Sequence, residues 1–254
     1  MRQHRDQAYV LGTTELGEAD LIVTLLAENT GRLRGVAPSA RKSRKRFGGR
    51  LEPLTRVVVT WAQREGRELH RIESLETLRS FAAMQADPAR QAACAVLAEI
   101  TGSVVHEGEA DPRTYRLLGA LLEALEAGLD PWIAVRYAEY WTLRLHGVLP
   151  DLDACGACGS ELTAPDPRWV ADAAILCRRC PKPAGAVALT AADREALASF
   201  SHAQPSAVVA SRAAVRPDGA LDKLLRGATE AFVERSFRTY RHLRAATRGE
   251  GRPS

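Results

Sequence analysis

Long apolar runs are missing from this sequence. No stretch approaches the roughly 20 consecutive apolar residues that a bilayer-crossing helix needs. The opening MRQHRDQ has neither the apolar centre nor the cleavage site of an export signal. The expectation is a cytoplasmic protein with no membrane partner. Nucleotide and catalytic motifs are missing as well. Without G-x-x-x-x-G-K-[ST] the chain cannot run a P-loop ATPase cycle, and G-x-G-x-x-G, H-E-x-x-H and G-x-S-x-G are also absent. The six histidines are scattered, and His106-Glu107 lacks the spacing and proline of a zinc deaminase. The expectation is a protein that is not an enzyme.

Cysteine is scarce, with five in 254 residues, and in a reducing cytoplasm these do not read as disulfides. Cys94 lies in the apolar helical stretch QAACAVLAEI and reads as an inert core thiol. The other four form two C-x-x-C pairs, CGACG at 155–159 and LCRRC at 176–180. A two-residue gap lets the chain turn so that both sulfurs reach one ion, and a second pair completes a tetrahedron. Cys155, Cys158, Cys177 and Cys180 are therefore predicted to hold one structural Zn2+, with no position left open for catalysis. Gly156 and Gly159 relieve the backbone there, and Arg178 and Arg179 offset the thiolate charge.

What is present is a chain able to bury a core, with 46% apolar and 26% charged residues. Net charge is only +4 but is unevenly distributed. Residues 1–80 hold 15 Lys/Arg against 10 Asp/Glu, and residues 223–248 hold seven against two. Two basic regions bracketing a more acidic middle point to a nucleic-acid partner.

The first 75 or so residues read as strands at 8–16, 20–28, 31–39, 51–63 and 68–75, separated by Gly17-Glu18, Asn29-Thr30-Gly31, Gly48-Gly49 and Glu65-Gly66. Five short strands bury themselves best by closing, so a five-stranded OB-fold β-barrel is expected, with a small SH3-like barrel as the alternative. From about residue 77 the period becomes helical. Asp87-Pro88, Asp111-Pro112 and Asp130-Pro131 each join a capping carboxylate to a proline at the first helical position. Leu117, Leu118, Leu121, Leu122 and Leu125 form one core stripe, and Trp132, Val135, Ala138, Trp141 and Leu145 another. Residues 150–185 read as irregular, Thr190 and Asp193 as a capping box, and 219–246 as one long helix, with Leu221, Leu224, Leu225, Ala228, Phe232, Ser236 and Tyr240 on one face and frayed residues after it. The predicted class is α+β multidomain. A barrel domain at 1–78 precedes an α-helical domain at 79–246 with a four-cysteine zinc insert at about 150–185, and 247–254 form a flexible tail.

Between the third and fourth strands lies SARKSRKRFGG, in which five of the six residues from Arg41 to Arg46 are cationic. Such a run repels itself and is not explained by fold stability. Arg41, Lys42, Arg44, Lys45, Arg46 and Arg50, extended by Arg32, Arg34 and Arg56, are read as a phosphate-binding patch. Six contacts on a single strand predict a log–log salt slope of about −4. For base stacking this barrel offers only Tyr9, Phe47 and Trp61, and Trp61 reads equally as core, so binding is expected to be mainly electrostatic, tolerant of sequence and not strongly selective for one strand form. Arg235, Arg238, Arg241, Arg244 and Arg248 on the terminal helix read either as a second DNA surface or as plain helix solvation that also suits the C-terminal dipole.

The stretch GEADLIVTLLAENTGRLRGVAPSARKSRKRFGGRLEPLTRVVVTW (17–61) resembles the N-terminal barrel of the RecO family of bacterial recombination mediators. GVLPDLDACGACG (147–159), followed by CRRC, is similar to that family's helical domain with its zinc insert, and the likeness runs from about residue 8 to 245. It implies a DNA-repair accessory protein of the bacterial cytoplasm and nucleoid. Such a protein binds single- and double-stranded DNA, anneals complementary strands, and helps load RecA onto DNA coated by single-strand-binding protein (SSB). The implied partners are RecR, in some settings RecF, and the acidic C-terminal tail of SSB. Arg41 to Arg50 then correspond to the family's basic barrel loop, and Cys155, Cys158, Cys177 and Cys180 to its zinc ligands. WVADAAIL, before Cys177, departs from the Gly-rich pattern common there. Rival readings are a zinc-ribbon RNA-binding or transcription-associated protein, and a metal-dependent hydrolase.

Overall fold

The computed structural model describes residues 2–42, 47–63, 69–162 and 168–248. The chain divides into two compact units, 1–119 and 120–254.

In the first unit β1 (Arg2–Leu16), β2 (Asp20–Ala27), β3 (Gly31–Ala37), β4 (Arg56–Gln63) and β5 (His70–Arg79) close into a barrel in the order β1-β2-β3-β5-β4. β1 pairs with β4 through its first half and with β2 through its second, bending at a register shift between Val10 and Gly12. All pairs are antiparallel except β3 with β5, whose partners are Gly35 with His70 and Val36 with Arg71. Alternate residues point inward and fill the barrel, among them Val10, Val23, Leu25, Leu33, Val57, Val59, Trp61 and Ile72. Full burial of each large apolar side chain stabilises by about 1.5–3 kcal/mol.

Three strands differ from the sequence expectation. β1 begins at Arg2 rather than residue 8, because polar side chains take the positions where apolar alternation would announce it. The ring of His4 stacks on Trp61 at 5.3 Å. Asp6 is buried and accepts from Asn29 N–H (2.9 Å), Asn29 Nδ2 (2.9 Å) and Thr30 Oγ1 (3.0 Å), fastening the β2–β3 turn. β4 begins at Arg56 rather than 51, since Gly48–Leu51 form a 3-10 turn and Leu54 has φ +64°. β5 extends to Arg79. Gly31, at φ +75°, has no room for a side chain: a Cβ there would lie 1.8 Å from the Glu109 carbonyl oxygen. This close approach lets Arg32 N–H donate to His106 O (2.9 Å) and Gly108 N–H to Arg32 O (3.3 Å), tying the 106–109 loop to β3.

All three Asp-Pro steps begin helices. Asp87 accepts from Ala89 and Arg90 N–H at the start of α1 (Pro88–Val104), and Asp111 from Thr114 N–H at α2 (Pro112–Glu126). Asp130 accepts from Trp132 and Ile133 N–H at α3 (Pro131–Leu145). Thr190 and Asp193 make the expected capping box at α4 (Ala191–His202). Cys94 is half-buried, and burial pushes its thiol up to about 12, which leaves it unreactive.

α3 is buried on nearly every side rather than along one stripe. Arg136, wholly buried, donates from Nη1 to Glu139 and from Nη2 to Asp222. The Tyr240 hydroxyl donates to Glu139, and Arg226 and Arg244 reach Asp222 from the solvent side.

The single helix expected over 219–246 is broken. A short α5 (Arg212–Val215) comes first, then a π-turn (Asp222–Arg226) leading into α6 (Gly227–Phe232), and α7 (Tyr240–Thr247) follows only after residues 233–239. The break follows from a change of phase. Phe237 is the buried ring and Phe232 is exposed, while Glu234 takes φ +53° and Glu230 Oε1 accepts from Phe237 N–H (3.1 Å). Thr247, read as tail, ends α7 and accepts from Trp132 Nε1 (3.1 Å).

Within the stretch read as irregular, β6 (Arg168–Ala171), β7 (Ala174–Leu176) and β8 (Val187–Leu189) form a small sheet in the order β7-β6-β8. The β6–β7 turn is Asp172-Ala173 at φ +48° and +58°, a two-residue connection of the kind glycine usually supplies. WVADAAIL thus makes its hairpin without glycine.

Candidate nucleic-acid face and metal centre

The basic run lies in the β3–β4 connection, as its sequence position predicts, and both of its ends are anchored. On the β3 side Ser39, at φ +58°, donates its N–H to Asp20 Oδ1 (2.8 Å), and Arg41 N–H donates to Ala19 O (3.1 Å). The Arg41 guanidinium meets Gly17 O (3.4 Å) and Glu15 Oε1 (3.3 Å). All four acceptors belong to the tip of the β1–β2 hairpin. On the β4 side Phe47 is fully buried in the barrel core, with Ala40 and Leu51 packed against the same cluster. Arg44, Lys45 and Arg46 lie between these anchors, outside the described residues.

The remaining predicted cations differ in how far their own fold engages them. Lys42 is exposed. Arg50 is half-buried in the 3-10 turn. Arg34 points outward from β3, with Glu107 Oε1 at 4.0 Å. Arg32 donates from Nη1 to Gly102 O (3.2 Å), with Glu107 at 3.9 Å from Nε. Arg56 donates to Gln7 Oε1 (2.8 Å) and Tyr115 Oη (3.2 Å), its guanidinium lying about 6 Å from the Tyr9 and Tyr115 ring centres. Arg32 and Arg56 thus brace the first unit. The three rings considered for stacking, Tyr9, Phe47 and Trp61, are all buried, so none offers a platform for a base. That expectation is corrected: Trp61 and Phe47 belong to the barrel core, while Tyr9 sits on the outer face of β1 with its ring packed on that of Tyr115 at 4.9 Å.

On the second cationic surface Arg235, Arg238 and Arg241 are exposed. Arg235 lies 5.9 Å from the Phe237 ring centre, and Arg241 Nε donates to His242 (3.3 Å). Arg244 is engaged by Asp218 (3.0 Å) and Asp222 (3.4 Å). The break at 233–239 puts Arg235 and Arg238 off the helix that carries Arg241 and Arg244.

The four cysteines converge. Their sulfurs all lie within 4.8 Å of one another, with Cys155 to Cys180 at 3.8 Å and Cys158 to Cys177 at 3.9 Å. Sulfurs each about 2.3 Å from a central ion would stand about 3.8 Å apart, so the cluster is the size of a tetrahedral metal shell. Cys155 and Cys158 sit in the turn after Asp151, whose carboxylate accepts from Asp153 and Ala154 N–H; Cys177 and Cys180 follow β7. Gly156 touches the hairpin so closely that a Cβ would lie 2.8 Å from that of Ala174. Backbone N–H groups, led by that of Cys180, pull the Cys177 thiol down to about 6, and the Cys177 N–H heads those that lower Cys155. Cys180, beside Cys158, is pushed up to about 12. Lys182 lies 4.4 Å from the Trp169 ring centre and donates to Cys180 O.

Sequence reasoning did not find the anchors of the basic run. The acidic residues of the β1–β2 turn are visible in the sequence, but their meeting with residues 39–41 depends on strand register. Glu107 gave no signal, because its place is set by the close approach at Gly31.

A closed barrel of this strand order, followed by a helical region with paired C-x-x-C turns, defines an OB-fold protein with a metal-binding insert. Residues 1–81 match the family "Recombination protein O N terminal" and residues 85–241 match "Recombination protein O C terminal". A DNA repair protein RecO of Koribacter versatilis is 41% identical over 158 residues, covering 62% of this chain and 64% of that protein. A DNA repair protein RecO of Anaeromyxobacter sp. (strain Fw109-5) is 34% identical over 228 residues, 89% of this chain and 88% of the relative. The chain belongs to the recombination protein O (RecO) family of DNA-repair proteins. No helix among the described residues is long and apolar enough to cross a membrane.

Proposed function

We propose that this chain is a non-enzymatic mediator of DNA repair and recombination in the bacterial cytoplasm and nucleoid. It binds single- and double-stranded DNA through residues 1–78, anneals complementary strands, and with RecR helps load RecA onto SSB-coated DNA, with RecF as a further partner. The observation that carries this reading is the anchoring of the cationic run at both ends, by Arg41 N–H on Ala19 and by Phe47 in the barrel core. A cationic run whose flanks are tied to a closed barrel reads as a phosphate-binding part of that barrel. Annealing requires only that two polyanions be neutralised together, which suits a sequence with no nucleotide loop. Within this reading the phosphate contacts are Arg34, Arg41, Lys42, Arg44, Lys45, Arg46 and Arg50, while Arg32 and Arg56 hold the fold. Arg235, Arg238 and Arg241 supply the second surface.

The ion held by the four cysteines is Zn2+, in a structural role: it draws the turn at 155–158 and the segment after β7 together, and the closed thiolate shell leaves no position for substrate. For the acidic SSB tail the seat is a cleft of about 620 Å3 in the second unit. Leu149, Leu152, Ile175 and Leu197 give it apolar walls, and Arg144 and Arg194 line it. The test is annealing of complementary SSB-coated oligonucleotides. The wild-type chain accelerates it, and reversal of the charges from Arg41 to Arg46 removes the acceleration; unchanged annealing by that variant would take the run out of the mechanism.

A further inference from the structure

Two of the arginines read as phosphate contacts already face a carboxylate. Glu15, at the end of β1, is 3.3 Å from Arg41 Nη2. Glu107, on the loop after α1, is 4.0 Å from Arg34 Nη1 and 3.9 Å from Arg32 Nε. Their positions are set by the fold. Glu15 stands on the hairpin tip that also receives the N–H groups of Ser39 and Arg41, and Glu107 on the loop bound to β3 through Arg32 N–H and Gly108 N–H. Neither is held by burial, their side chains being 69% and 44% exposed. Exposed pairs of this kind contribute little to stability, so the fold does not require them. On a surface whose cations await a polyanion, a fixed carboxylate beside a cation has another effect: a phosphate must displace it and then remain within a Debye length, about 8–10 Å, of its charge.

We propose that Glu15 and Glu107 are built-in competitors for phosphate. In the free protein they occupy Arg41 and Arg34, and they hold the affinity of the barrel for a nucleic-acid backbone below what its cations alone would give. The proposal rests on the DNA-binding reading above and adds its regulation. A mediator that brings two strands together must also release the duplex, and carboxylates that return to their arginines lower the barrier to release.

The test uses the full-length protein and a fluorescently labelled oligo(dT), titrated at several salt concentrations. Glu15→Gln and Glu107→Gln each bind about two- to fivefold more tightly, the range an exposed ion pair spans. Each steepens the log–log salt slope by up to about 0.7, because the arginine no longer gives up its own carboxylate when it neutralises a phosphate. The gain from Glu15→Gln disappears in an Arg41→Gln background, and that from Glu107→Gln falls in an Arg34→Gln background. Variants that bind as the wild type does would overturn the proposal. So would gains that persist in the arginine-free backgrounds, which would make the effect one of net charge. A wild-type chain without affinity for DNA removes the binding reading itself, and this inference with it.

Discussion

Arg136 and Glu139, one turn apart on α3, are joined by a hydrogen bond of 2.7 Å from Nη1 to Oε1 while neither side chain touches solvent. Asp222 of the π-turn and Tyr240 of α7 complete the group, so three segments distant in sequence meet on one buried guanidinium. Removing that cation leaves two carboxylates buried with too few donors. Arg136→Ala is expected to lower stability by about 3–5 kcal/mol, measured by urea unfolding followed by circular dichroism. A loss below about 1 kcal/mol would show that the group relaxes to solvent.

The same group makes stability depend on pH. Burial pushes the Glu139 carboxyl up to about 7, against the pull of Arg136. The folded state then holds a proton that the unfolded chain gives up, so this contribution is complete below the ordinary glutamate range and is lost as pH rises to about 7. Asp222 acts oppositely: Arg136 and Arg226 overcome its burial and lower it, so its contribution is lost only in stronger acid. Unfolding free energies at pH 5 and pH 7.5 should therefore differ more for the wild type than for Glu139→Gln. Equal differences would place the charge on Glu139 throughout.

Neutralising Arg44, Lys45 and Arg46 together to Gln should weaken DNA binding at low salt and reduce the magnitude of the single-strand salt slope by about 2, at 0.7 per lost contact. Phe47 and the Asp20–Ser39 hydrogen bond remain, so the unfolding midpoint should be unchanged. An unaltered slope would move the phosphate contacts elsewhere on the chain.

Native mass spectrometry of the freshly purified protein should show one zinc ion per chain, removed by a strong chelator. Loss of the ion should expose the segment from Cys155 to Leu189 to protease while the barrel stays resistant, because metal binding supplies folding free energy to that segment. Cys158→Ser, at the exposed ligand, should reproduce the effect without chelator. Two ions per chain, or a protease pattern indifferent to chelation, would contradict a structural zinc.

Much of this was legible in the sequence, for identifiable reasons. Each barrel strand carries at least part of an alternating apolar pattern, and Asp-Pro steps mark helix starts by local chemistry alone, as Asp87 and Asp130 do. The cysteine cluster was legible because ligand spacing is itself local. The break at 233–239 was not, since Phe232 and Phe237 both look like core residues and only packing selects between them. The buried Arg136 was hidden because its partners are scattered from residue 139 to 240. The anchoring of Ser39 and Arg41 escaped for the same reason, being a meeting of two turns, and Arg56 looked like a surface cation until Tyr115 was beside it.

With Phe47 and Trp61 in the barrel core and Tyr9 covered by Tyr115, the proposed DNA surface has no aromatic face from these rings on which a nucleobase can rest. What is left to grip is the sugar-phosphate chain, the same in every gene. An annealing factor cannot know beforehand which damaged locus it will meet, and indifference to the letters leaves recognition to the two strands themselves.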